Sequence, residues 1–299
     1  MENKHLLTVF TPAYNRAHTL VRTYESLCRQ TSKDFDWLIV DDGSTDNTKA
    51  LVESWIEDAK LPIKYIYKEN GGLYTGYNTA YANIDTELCV CVDSDDYMPD
   101  DAVEKIQKRW SSRDKSIDYC GIVGLDFNVV NKQPIGGYFP DGITSGYYSD
   151  VKQRGDTKEV MRTDLMKTVS PMVGFPPEKD FNPFYMIAQI VDKYPILVEN
   201  SNLCWVEYQV GGDSMSQGKA IYRQFKRSPR SYAKFRIMQM QQKRGNSEKR
   251  KFRMCIHYVS ACIFAEDGAW LKNSPLKLYT IMAVPFGIAL NLLIRFKAR

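Results

Sequence analysis

Residues 36–48 read DWLIVDDGSTDNT. The apolar run Trp37 to Val40 is too short for a helix and reads as a buried strand, and the polar loop behind it turns at Gly43. A helical pattern follows, with Leu51, Val52, Trp55 and Ile56 on one face, and Ser44, Thr45 and Asp46 are natural N-cap residues for it. Working outward, the same order repeats. Upstream, LLTVFT at 6–11 ends at Pro12 and gives way to a helix carrying Leu20, Tyr24, Leu27 and Cys28. Downstream, Ile63 to Tyr67 is a strand closed by ENGG at 69–72, Tyr74 to Asn83 is a helix, and LCVCV at 88–92 is a strand. Strand and helix alternate with short connections, which predicts an α/β fold with a mainly parallel sheet flanked by helices. Ligands of such sheets sit beyond the carboxyl ends of the strands, where this chain places PAYNR, DDGSTDNT, ENGG and DSDD.

Asp93-Ser94-Asp95-Asp96 directly follows the fourth strand. Two carboxylates one residue apart at a strand end can project to a common site, where a hard divalent cation, Mn²⁺ or Mg²⁺, relieves their repulsion. Such an ion on a diphosphate would neutralise the charge growing on a leaving group. The same acids could instead cap the helix that begins after Pro99. Asp42 can accept hydrogen bonds from a nucleobase or ribose beside the turn at Gly43, and Tyr14 can stack on a base; helix capping and packing at the sheet edge are the alternatives. The four clusters in this order are harder to explain by capping than any one alone.

In that order and spacing, TPAYNRAHTL, SLCRQTSKDFDWLIVDDGSTDNT, ENGGLYTGYNTAY and VDSDDYMPDDAVEKI resemble the family 2 glycosyltransferases over about the first 110 residues. The resemblance implies the A-type glycosyltransferase fold, with a Rossmann-like nucleotide-binding sheet and a helical C-terminal extension. It implies a nucleotide-sugar donor, expected to be a UDP-sugar, with Pro12, Tyr14 and Asp42 lining the nucleoside. Asp93 and Asp95 would form the D-x-D metal and phosphate site, with Asp95 the direct ligand. The family places a base in an acidic-aromatic motif before a helix. Here FPPEKDFNPFYMIAQI offers Glu178 and Asp180, and Asp180-Phe181 matches that pair better, although Lys179 breaks the usual order. An inverting transfer needs such a base on the acceptor hydroxyl. VEYQVGGDSMS at 206–216 looks like the segment that closes over the donor. The chain shows neither the Q-x-x-R-W motif nor the long membrane spans of processive members, so one sugar per encounter is expected.

The expected organisation is a catalytic domain at 1–218, with a donor half at 1–110 and an acceptor half at 111–218, then a basic helical region at 219–299. From residue 219 there are 18 Lys and Arg against 3 Asp and Glu, a net +15, whereas the residues before it carry 22 against 33, a net −11. An anionic partner is therefore expected for the C-terminal region. Residues 279–294, YTIMAVPFGIALNLLI, are nearly uncharged, too short to span a bilayer, and flanked by Arg295, Lys297 and Arg299. That pattern favours a membrane surface over nucleic acid, and a lipid-linked glycan is one candidate acceptor. The apolar and charged fractions, 43% and 25%, are those of a folded protein. Seven cysteines, an odd number, and no signal peptide in MENKHLLTVFTPAYN point to a reduced chain in the cytoplasm, peripheral on the inner face of the cell membrane. A nicotinamide-dependent oxidoreductase would need a glycine fingerprint after the first strand, which TPAYNR lacks. A sugar nucleotidyltransferase would need a Gly-rich basic loop near the N-terminus, also missing. A catalytically inactive nucleotide-binding partner subunit is the non-enzyme alternative.

Overall fold

The structure is a computed structural model describing residues 4–151, 155–207 and 219–298, the side chain of Lys219 excepted. It divides into two compact units. The first takes Met1–Gly71, Thr75–Met172 and Met186–Glu207; the second takes Gly72–Tyr74, Val173–Tyr185 and Tyr208–Arg299.

The first unit begins β1 (Leu7–Ala13), α1 (Ala17–Cys28), β2 (Phe35–Asp41), α2 (Thr48–Asp58), β3 (Ile63–Tyr67), α3 (Leu73–Asn83, begun in the second unit), β4 (Leu88–Cys91) and α4 (Ala102–Ser111). It continues with β5 (Gly121–Asn128), β6 (Ser145–Gly146), α5 (Tyr148–Val151), β7 (Thr157–Arg162), α6 (Thr163–Val169), α7 (Phe184–Val191, begun in the second unit) and β8 (Ile196–Val206). The strands form one sheet in the order β3-β2-β1-β4-β7-β5-β8-β6. β3, β2, β1 and β4 are all parallel, as expected from their helical crossovers. Beyond β4 the sheet is mixed: β7 runs antiparallel to both β4 and β5, β8 is parallel to β5, and β6 is antiparallel to β8.

Every residue of β1 is buried, which is why LTVFTPA is an unbroken apolar and small run rather than an alternating one. Leu20, Tyr24 and Leu27 of α1 face the sheet at helical spacing. Tyr24 stacks on Trp55 of α2 with centroids 4.3 Å apart, and Trp55 lies 5.9 Å from Trp37 of β2, so three aromatics lock two helices to one strand. Val103, Ile106 and Trp110 of α4 join the same core. All seven cysteines are free.

The second unit contains the helices α8 (Lys219–Arg227), α9 (Pro229–Gln241), α10 (Glu248–Ala265), α11 (Trp270–Asn273), α12 (Lys277–Met282) and α13 (Val284–Lys297). Its core gathers Met240, Cys255, Tyr258, Val259 and Ala283. The Tyr258 hydroxyl donates to the Trp270 carbonyl at 2.7 Å. A Cβ on Gly287 would stand 2.5 Å from the Val259 side chain, so glycine is what lets α13 approach α10 this closely. Pro285 sits in the first turn of α13, where its missing N–H costs nothing, and the chain breaks between α12 and α13 at Ala283. Among the described residues no helix is long and apolar enough to cross a membrane.

Candidate active site

Because β1 to β4 are parallel, the loops that follow them leave the same edge of the sheet, and the polar clusters sit there. The first two loops are stitched together. Asn15, held at φ 54°, donates its N–H to the Ser44 hydroxyl at 2.8 Å, while its side-chain oxygen accepts from the Thr45 N–H at 2.8 Å. The Ala17 N–H donates to Asp46, whose other oxygen accepts from the Thr48 N–H at 3.0 Å. Ser44, Thr45 and Asp46 therefore join loops, and the N-cap of α2 is Asn47, without a side-chain bond. Asp46 thus serves α2 as expected, accepting from its first N–H, while Ser44 and Thr45 are spent on the Asn15 loop instead of the helix end.

Asp41 is fully buried and structural, accepting from the Ser44 N–H at 2.7 Å and the Tyr65 hydroxyl at 2.6 Å. Asp42, its side chain 7% exposed, pairs with the Lys68 ammonium and accepts from the Gly71 N–H at 3.0 Å and the Thr75 hydroxyl at 3.3 Å. The Asn70 amide donates to the Asp42 carbonyl at 2.8 Å. Gly43 takes φ +86°, and a Cβ there would meet the Asn70 nitrogen at 2.8 Å, so the turn requires glycine. Asp42 is thus the anchor of the loop after β3, a role the sequence did not reveal. Tyr14 is half exposed at the same edge, as stacking on a ligand would need. Pro12 is buried at the end of β1, 3.4 Å from the position of a Cβ on Gly76 in α3.

The fourth loop carries Asp93, exposed, Asp95, partly buried, and Asp96, buried. None caps α4, whose N-cap is Asp101. The loop is held by its backbone: the Asp96 N–H donates to the Asp93 carbonyl at 3.0 Å, and the Thr23 hydroxyl donates to the Asp96 carbonyl at 2.7 Å. Burial and the neighbouring Asp93 charge hold the Asp95 carboxyl above its ordinary range, while Arg16 and Arg22 pull it down. Asp96 is pushed up to about 8, chiefly by burial, against the pull of Lys158. Arg22 reaches the Asp95 carbonyl at 3.5 Å and pairs with Glu207 at the end of β8. Behind the loop, buried Lys158 of β7 lies 3.7 Å from buried Asp126 of β5. Neither Arg16 and Arg22 nor this pair was picked out from sequence; the cations stand in α1 and the loop before it, remote in the chain from the acids they face.

Among the described residues no group of three or more His, Cys, Asp or Glu is placed to hold a metal. The donor set nevertheless fits Mg²⁺ or Mn²⁺, because these ions are commonly bound by one or two carboxylates together with substrate phosphates. Asp93 and Asp95 supply such a pair, close enough for the Asp93 charge to help hold the Asp95 carboxyl above its ordinary range.

In the second unit, Asp180 makes a bidentate pair with Arg227, both contacts 3.0 Å, and accepts from the Ser228 hydroxyl at 3.2 Å. Its side chain keeps 16% exposure. Glu178 does something different. Its two oxygens accept from the Arg230 N–H at 3.0 Å and the Ser231 N–H at 2.8 Å, which caps α9 and places an anion at the positive end of the helix. The cap of α7 is instead Asn182, which accepts from the Phe184 N–H at 2.9 Å. Glu178→Ala should therefore lower stability by about 1–3 kcal/mol, the usual range for a lost cap or a charged hydrogen bond. An unshifted urea midpoint would contradict that role. Of the 206–216 segment, residues 208–216 lie outside the described residues.

A family profile described as Glycosyl transferase family 2 matches residues 8–169. The glycosyltransferase GlyA of Streptococcus pneumoniae is 36% identical over 103 residues, which is 34% of this chain and 15% of the length of GlyA. Among solved structures, S. aureus TarS 1-349 in complex with UDP-GlcNAc superposes with a TM-score of 0.58 at 17% identity, covering 97% of this chain and 91% of that one. The mannosyltransferase PcManGT of Pyrobaculum calidifontis, in complex with GDP-Man and Mn²⁺, gives 0.54 at 17% identity, covering 97% and 88%. Likeness at such identities is one of fold.

Proposed function

The chain belongs to the family 2 glycosyltransferases and has the A-type glycosyltransferase fold, and from that premise we propose that it transfers a sugar from a nucleotide-sugar, a UDP-sugar, to a glycan acceptor with inversion, one unit per encounter. The observation that carries the reading is the convergence of four polar loops at the ends of four parallel strands, with Asp42 on the second and Asp93 and Asp95 on the fourth. Solved structures of the same fold, TarS and PcManGT, hold UDP-GlcNAc, or GDP-Man with Mn²⁺.

In this reading Asp42, fixed by Lys68, Gly71 and Thr75, accepts from the nucleoside, and the Tyr14 ring and the Pro12 end of β1 flank the base. Asp93 and Asp95 would hold Mn²⁺ or Mg²⁺, which neutralises charge on the departing diphosphate. Asp180, oriented by Arg227 and Ser228, takes the proton of the acceptor hydroxyl. Glu178, occupied by two backbone N–H groups, is the poorer candidate for that proton. Membrane-side glycan synthesis, as in building a cell-surface polysaccharide on a lipid-linked acceptor, fits the basic C-terminal region.

A catalytically inactive nucleotide-binding subunit would share the donor loops and differ only in turnover. Donor binding is tested by calorimetry with nucleoside diphosphates in Mn²⁺. The wild-type chain should bind one of them, and Asp42→Ala should weaken it by about 1–3 kcal/mol, the cost of one buried hydrogen bond to a charged group. Equal affinity of wild type and variant for every nucleoside diphosphate would contradict the role of Asp42.

A further inference from the structure

The last helix of the second unit buries one narrow stripe and exposes the rest. Gly287, Asn291 and Ile294 of α13, spaced four and three residues apart, face inward, with the Asn291 amide donating to the Ser260 carbonyl of α10 at 3.1 Å. The opposite side is apolar and open: Phe286 is 55% exposed, Leu292 61% and Phe296 73%. α12 continues this exposure with Leu278, Ile281 and Met282. Large apolar side chains exposed together on consecutive helices mark an interaction surface in a folded protein.

What covers it is decided by the charges around it. Exposed Lys272 and Lys277 precede the apolar run and exposed Arg295 and Lys297 follow it; among the described residues none of the four makes an ion pair, although Arg295 donates to Asn291 and lies over the Phe264 ring, and Lys297 lies over the Tyr222 ring. The chain from residue 219 onward carries +15. A second copy would bring the same positive charge against itself, whereas an anionic bilayer offers phosphates to the cations and an acyl boundary to the rings. At 14 residues, α13 is about 21 Å long by helical rise, short of the roughly 30 Å hydrocarbon core, so it suits lying in the interface.

We propose that the exposed α12–α13 face docks the chain on an anionic phospholipid bilayer, with Phe286, Leu292 and Phe296 entering the acyl boundary and Lys277, Arg295 and Lys297 meeting headgroup phosphates. This deepens the membrane side of the proposed function and rests on it.

Co-sedimentation of the full chain with vesicles tests it. The chain should partition strongly onto phosphatidylcholine vesicles containing phosphatidylglycerol and only weakly, through its apolar face, onto phosphatidylcholine alone. Phe286→Ser with Phe296→Ser should cut partitioning at least tenfold in low or high salt. Arg295→Gln with Lys297→Gln should cut it by roughly fivefold per charge at low salt, a difference that fades in high salt. All four substitutions are at exposed positions, and circular dichroism can show that the variants fold. Failure of the wild-type chain to bind the anionic vesicles overturns the proposal, as does unchanged partitioning of the Phe variant. So would a dimer in lipid-free buffer that the Phe variant dissociates, because the face would then be a contact between copies. Release of nucleoside diphosphate from donor in lipid-free buffer reads the transfer reaction separately, and both variants should retain it.

Discussion

Asp95→Ala should reduce sugar transfer by on the order of a thousandfold or more while leaving the fold intact. The size follows from the several kcal/mol that a metal on the leaving diphosphate supplies, at tenfold per 1.36 kcal/mol. The fold should survive because backbone groups hold the loop: the Asp95 carbonyl faces Arg22, the Asp96 carbonyl accepts from Thr23, and the Asp96 N–H closes on Asp93. Removing the Asp95 carboxylate also removes a charge that burial and Asp93 already oppose, so no folding penalty is expected from its loss. Initial rates across a Mn²⁺ titration check the role, with the wild type strongly activated and the variant flat. Full activity of Asp95→Ala in chelator-treated buffer would remove the D-x-D assignment.

Asp180→Asn should have the second largest effect, a loss of about 10²–10⁴ in turnover with donor affinity unchanged. Asparagine keeps the shape, and its carbonyl oxygen in the Oδ2 place can still accept from Arg227 Nε and the Ser228 hydroxyl, while the second Arg227 contact is lost; donor affinity measured beside turnover separates loss of the base from loss of position. Glu178→Gln is the matching control. Its carboxylate is spent on the N-terminus of α9, and its removal should register in stability rather than in turnover. A single displacement assisted by Asp180 inverts the anomeric centre, which NMR of the product reads. A retained anomer, or normal turnover of Asp180→Asn, would contradict Asp180 as the base of an inverting transfer.

The strands that carry the donor loops were legible because their signals are local. LLTVFT and DWLIV are short apolar runs ending in polar turns, and β1 and β2 extend them by only a residue or two. Sheet order beyond β4 was not legible. β7 enters between β4 and β5 as an antiparallel strand, and nothing in the apolar pattern of TKEVMR says which strands it will join. The acidic residues were legible by type, but their partners were not. Asp42 is bound to Lys68, 26 residues on, Asp180 to Arg227, 47 residues on, and Glu178 to Arg230, 52 residues on. A side chain that caps its own helix leaves a fixed spacing in the sequence, whereas one that caps a helix made later in the chain leaves none. Ser44 shows the converse, since its spacing suggests a cap and the structure uses it to hold Asn15, whereas Asp46 both holds Ala17 and accepts from the first N–H of α2.

Turnover is the property that separates a glycosyltransferase from an inactive subunit of the same fold, and a donor panel measures it directly. The chain is incubated with Mn²⁺ and each nucleotide-sugar in turn, water taking the sugar in place of the glycan acceptor, and free nucleoside diphosphate is quantified. UDP should be released from a UDP-sugar, dependent on metal and lost in Asp95→Ala. No release above background from any nucleotide-sugar by the folded wild-type chain, despite binding of the nucleotide, would contradict the proposed transfer.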